Sequence, residues 1–144
     1  MKESSLRFVR FVLSWAILVA YVWVLYRLMT GNVAVPQGVS DKTAHAVAFG
    51  VLAVLAYWAF GALSRSAIRT AAVSCVVSSL YGLFGEYAQS RIPTRHADVH
   101  DFYADTLGAV IGTLLVLTVV ALARLRNAAK RRSSRFPYER THRA

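Results

Sequence analysis

The chain of 144 residues is 56% apolar and 17% charged, with a formal net charge of +10. Ordinary soluble domains are about 45–50% apolar and about 25% charged, so this composition excludes that class, and it is too apolar for a disordered chain. The single cysteine, Cys75, excludes an internal disulfide framework and a Cys-rich zinc site.

A bilayer core takes about 20 apolar residues in helix. Four segments meet that length. The first, 8–29, is bracketed by Arg10 and Arg27, which can snorkel to the two interfaces. It is longer than the usual signal-peptide core of about 7–15 residues, and Arg27 precedes any clear cleavage site, so a retained helix is expected. The second, 44–63, carries only His45 as a titratable group. The third, 68–87, runs from Arg69 to Glu86. The fourth, 102–123, is broken only by Asp105. Soluble core helices are the competing reading. It fails because too few residues remain outside these segments to cover four helices that are apolar around most of their circumference. The expected fold class is all-α, an integral membrane four-helix bundle forming one domain over residues 1–123.

The basic residues orient it. Lys2, Arg7, Arg10, Arg65, Arg69 and eight bases of the tail fall on one side, whereas Arg27, Lys42, Arg91 and Arg95 fall on the other. The positive-inside rule then places both termini in the cytoplasm, with the protein multi-pass in the cell (cytoplasmic) membrane. The tail, 124–144, holds most of the net charge. It is expected to be disordered, with Pro137 opposing a helix, and to meet anionic lipid headgroups. Nucleic acid is not needed to explain its charge and is not expected as a partner.

Ionisable residues at membrane depth are costly, which makes them functional candidates. Here they gather at the ends of three segments: Asp41, Lys42 and His45 open the second, Glu86 and Gln89 close the third, and Arg95, Asp98, Asp101 and Asp105 lead into the fourth. All lie at the outer face in the topology above. Asp41 and His45 are four apart and Glu86 and Gln89 three apart, so each pair shares a helix face. Asp98, Asp101 and Asp105 form one stripe, whose carboxylates repel unless paired or partly protonated. Plainer roles compete. Asp41 and Asp98 suit helix N-caps, His45 can be a satisfied buried histidine, and Arg95 can simply pair with an acid. No metal or other cofactor is assigned. His96 and His100 have zinc-like spacing, but the zinc-protease glutamate is absent. The carboxylates could take a divalent cation through oxygen, but lack an EF-hand glycine. Gly108 and Gly112, preceded by Ala104, make a small-residue strip expected to pack inside the bundle and close the polar cluster.

These motifs resemble the VanZ-like family of small bacterial membrane proteins. The match runs from Asp41-Lys42-x-x-His45 through Glu86-x-x-Gln89 and Arg95-x-x-Asp98-x-x-Asp101 to Asp105-Thr106-Leu107-Gly108-Ala109 and Gly112. The family commonly has Asn where this chain has Asp105, which adds a titratable group. The resemblance implies a cell-envelope membrane protein connected with susceptibility to the glycopeptide teicoplanin. It does not imply a reaction. Three functions are compatible with the residues. In the first, the outer cluster binds or alters a lipid-linked or cell-wall headgroup, with Asp41, Lys42, Gln89, Arg95 and Asp98 contacting it. In the second, the protein is a membrane enzyme whose His45 and one of Glu86, Asp101 and Asp105 do acid–base work on a lipid phosphate or glycan, with Lys42 and Arg95 holding the anion. In the third, the cluster is structural and the protein is an interaction subunit whose tail recruits cytoplasmic partners.

Overall fold

The computed structural model describes residues 2–31, 38, 40–64, 66–93 and 97–135. They form four helices: α1 Lys2–Thr30, α2 Asp41–Gly61, α3 Ala67–Ser90 and α4 Val99–Arg135. Each is long and apolar enough to cross a membrane, and the four pack together. The starts follow local capping chemistry. Ser40 caps α2, its hydroxyl accepting from the Thr43 N–H at 3.2 Å. The plainer expectation that Asp41 caps α2 is therefore corrected, and Asp41 is the first helical residue. Ser66 caps α3 through the Arg69 N–H. Asp98 precedes α4, and its Oδ1 accepts from the His100 N–H at 2.8 Å.

The fourth helix does not stop at the end of its apolar segment. It continues through Arg135, so residues 124–135 of the tail are helical rather than disordered. Arg, Leu, Ala and Lys dominate that stretch and favour helix. Pro137 and the other residues beyond 135 lie outside the described set.

The polarity of the bundle is inverted relative to a soluble one. The buried face of α3 is Thr70, Ala71, Ser74, Ser78, Gly82, Gly85, Glu86 and Gln89. Its exposed face carries Val73, Val76, Val77, Leu80, Leu83 and Phe84. Water would penalise that outer face, whereas lipid solvates it, and small residues let neighbouring backbones come close. The inner polar groups are largely satisfied locally. Ser74 Oγ donates to the Thr70 carbonyl at 2.8 Å and Thr113 Oγ1 to the Ala109 carbonyl at 2.7 Å.

The helix α2 makes its largest contact with α4, while α1 touches α2 and α3 but not α4 among the described residues. The small-residue strip explains the first contact. A Cβ at Gly108 would meet the Ala46 backbone, and one at Gly112 would meet that of Gly50. The strip is thus spent within the bundle, as its sequence suggests. The outlying α1 inserts Leu18, Leu25 and Met29 against Phe49, Leu52, Ala56 and Ala59 of α2. Two tyrosines fasten it. Tyr21 Oη donates to the Ala48 carbonyl at 3.0 Å, and Tyr81 Oη of α3 donates to the Val22 carbonyl at 2.8 Å.

Candidate functional site

The start of α2, the end of α3 and the start of α4 meet at one end of the bundle. They bring together six of the nine singled-out residues through direct bonds. Lys42 Nζ donates to Asp98 Oδ2 at 3.1 Å and to Asp101 Oδ1 at 3.0 Å. His45 Nδ1 lies 2.8 Å from Asp105 Oδ1. Glu86 Oε2 accepts the backbone N–H of Asp98 at 2.7 Å. The capping residue of α4 is therefore also part of the cluster, tied to α2 by its side chain and to α3 by its backbone.

A seventh residue, Asp41, offers a carboxylate oxygen that lies close to ligand atoms of His45 and Asp101, all within 4.8 Å of one another. Gln89 goes elsewhere. Its Nε2 donates to the Met29 carbonyl at 3.3 Å, satisfying the end of α1. Arg95, together with His96, lies outside the described residues.

Burial divides the cluster into a wet rim and a dry floor. Asp98 and Lys42 form the rim, with side chains 45% and 52% exposed. The floor is Asp105, fully buried, with Glu86 and Asp101 almost as deep. One oxygen on each of two floor carboxylates, Asp105 Oδ2 and Glu86 Oε1, has no hydrogen-bond partner among the described residues. On the rim, the Asp98 carboxyl is held below the ordinary aspartate range, first by the His100 N–H and then by the Lys42 ammonium.

Spacing alone does not show how Asp105 fits. A Cβ at Gly82 would come within 2.7 Å of Asp105 Oδ2, so the absence of a side chain on α3 makes the space for this carboxylate. The available signal was Gly82 one turn before Glu86 on the same face.

The imidazole of His45 is fixed on two sides. Asp105 holds Nδ1, and the ring lies parallel to Phe49 with centroids 6.5 Å apart. Such a carboxylate orients the ring and sets which nitrogen carries the proton, leaving the other nitrogen for a ligand or a reacting proton.

Beside the cluster, an open groove of about 730 Å³ runs between α2 and α4. Val47, Val51 and Val54 line one wall and Leu107, Ile111 and Leu115 the other, with Gly50, Gly108 and Gly112 between. It ends at Lys42, Thr43, His100 and Tyr103.

Residues 2–122 match the VanZ/LLP1 family. The chain belongs to that family. This VanZ/LLP1 protein is also 33% identical, over 82 residues, to an uncharacterized protein of Schizosaccharomyces pombe. The aligned region covers 57% of the chain and 49% of that relative, so the chain spans about half the length of the curated relative it matches. No solved structure matches it. The family and the four packed apolar helices together make it a multi-pass membrane protein.

Proposed function

We propose that this VanZ/LLP1 protein binds a lipid-linked headgroup at the outer face of a bacterial cytoplasmic membrane, and that through this it influences teicoplanin susceptibility. The observation that carries the reading is the continuity between groove and cluster. The open apolar groove along the α2–α4 seam suits a hydrocarbon chain, and it ends at Lys42 and His100, where the polar cluster begins. A molecule with a lipid tail and a polar head meets both environments at once. Lys42 is the group that contacts the headgroup, and Asp98 and Asp101 hold it in place. The orientation rests on the excess of Lys and Arg at the opposite end and in the tail, which there meets anionic lipid heads.

One contact favours an enzymatic version. The His45–Asp105 pair at 2.8 Å is the arrangement by which a carboxylate orients a general base. Acid–base chemistry on a lipid phosphate or glycan would use His45, with Glu86 and Asp101 beside it.

Single alanine variants of His45, Glu86, Asp101 and Asp105 test both versions. Expressed in a bacterial host, they are expected to lose the effect on teicoplanin susceptibility and the lipid that co-purifies with the wild type, while membrane abundance is retained. If all four keep phenotype and lipid, the cluster is not the site. Altered headgroup chemistry in the cellular lipid profile separates the enzyme from the binder. Loss of the protein itself would support the structural, interaction-subunit reading.

A further inference from the structure

The polar end of the bundle crowds five carboxylates around one lysine and one histidine. Among the described residues, Asp41, Glu86, Asp98, Asp101 and Asp105 face Lys42 and His45. Lys42 is committed to Asp98 and Asp101. His45 is committed through Nδ1 to Asp105. Beneath them, Asp105 and Glu86, 0% and 6% exposed, each keep one oxygen without a hydrogen-bond partner among the described residues. Both lie close enough to His45 and Asp101 to interact electrostatically with them. Buried carboxylates in an apolar surround are neutralised by a proton or by a nearby cation.

We infer that Asp41, His45 and Asp101 hold one divalent transition-metal cation of the Zn²⁺ or Mn²⁺ kind. A ligand atom from each lies within 4.8 Å of the other two, a spacing that small side-chain rotations close onto a metal; bonds to nitrogen and oxygen are about 2.0–2.2 Å long. The partners already present agree with this. Asp105 occupies His45 Nδ1, so the imidazole offers Nε2, the usual arrangement of carboxylate, histidine and metal; an imidazole held in this way does not also act as general base, so the site goes with the binding version of the function. Lys42 occupies Asp101 Oδ1, which leaves Oδ2 for the ion. The imidazole decides the class of cation, because a site of carboxylates alone would suit Ca²⁺ or Mg²⁺. Asp105, bonded to His45 Nδ1, is the outer carboxylate that orients this ligand. His100 lies outside this ligand set, so the site differs from the His96/His100 spacing that the sequence displays.

The experiment needs no substrate, so its result is separate from the headgroup reading. The full chain is purified in lipid nanodiscs, stripped with a chelator and titrated with Mn²⁺, and free aqueous Mn²⁺ is followed by its paramagnetic resonance signal. Zn²⁺ and Ca²⁺ are then added as competitors. The expected result is one saturable Mn²⁺ per chain, displaced by Zn²⁺ and not by an equal concentration of Ca²⁺. Asp41→Asn and His45→Gln each weaken it by about tenfold or more. Asp41 is exposed on the first turn of α2, so Asp41→Asn leaves the fold in place, which an unchanged metal-free melting temperature verifies. Absence of saturable binding to the wild type overturns the site. So does binding unaffected by Asp41→Asn, or Ca²⁺ displacing Mn²⁺ as well as Zn²⁺ does.

Discussion

At the scale of single residues, Asp105 carries the largest local consequences. It is fully buried, bonds His45 through Oδ1 and presses Oδ2 towards Gly82. The geometry tolerates an Asn at this position, since an amide oxygen can still accept from His45 Nδ1–H. Asp105→Asn is therefore expected to fold normally. Asp105→Leu removes the acceptor and strands a buried ring N–H, at a cost of about 1–3 kcal/mol. Thermal melting of the two variants in detergent distinguishes them. Gly82→Ala is expected to lower stability by a similar amount, about 1–3 kcal/mol, because its methyl occupies the space of Oδ2. Asp98 adds a pH dependence of definite sign. Its carboxyl ionises below the ordinary value of 3.8, because the His100 N–H and Lys42 favour the charged form. Its ionised contribution to stability is full above that value and disappears as pH falls through the lowered one. The melting difference between wild type and Asp98→Asn is thus widest near neutrality and narrows in acid.

At the scale of elements, the contact between α2 and α4 decides whether a site exists, because it brings Lys42 and His45 to Asp98, Asp101 and Asp105. Gly108→Leu drives a side chain into the Ala46 backbone, which has no rotamer with which to yield. A loss of about 1–3 kcal/mol or more is expected, together with exposure of the cluster. The melting temperature and the accessibility of His45 to an imidazole-modifying reagent report the two effects. The sequence showed the strip on α4 and its use inside the bundle. Its counterpart, Ala46 and Gly50, has the same four-residue spacing and was legible by the same rule. Other features depended on tertiary placement. Gly82 reads as an ordinary small residue until α4 sets Asp105 against it. Gln89 and Glu86 share a face of α3, yet Gln89 turns to the carbonyl at the end of α1 and Glu86 to the backbone of Asp98. Spacing gives the shared face but not which neighbour lies against it. The end of α4 departs from the sequence expectation for a different reason. Apolar length marks where a helix can leave the membrane, whereas the helix propensity of 124–135 carries it on to Arg135.

At the scale of the whole molecule, charge is divided between the two ends of the bundle. The acidic cluster occupies one end. At the other, Arg7, Arg10 and Arg124 line a cavity of about 450 Å³ with Ser14, Ser64 and Thr70. Beyond it, Lys130, Arg131 and Arg132 extend along the projecting part of α4. An anionic lipid surface attracts each base near it by about 1 kcal/mol. The proposed function places this basic end on the cytoplasmic side, and the cluster on the other. Two exposed positions test this on a Cys75→Ser background, which removes the native thiol. Ala97 lies just before Asp98 at the acidic end, and Leu63, 67% exposed, lies just after α2 at the basic end. In intact cells, a membrane-impermeant thiol reagent is expected to label Ala97→Cys and to spare Leu63→Cys until the cells are lysed. The reverse pattern would place Lys42, His45 and their acids on the cytoplasmic side. A ligand presented from outside would then no longer reach them, and the proposed link to a lipid-linked headgroup on that face would fall with it.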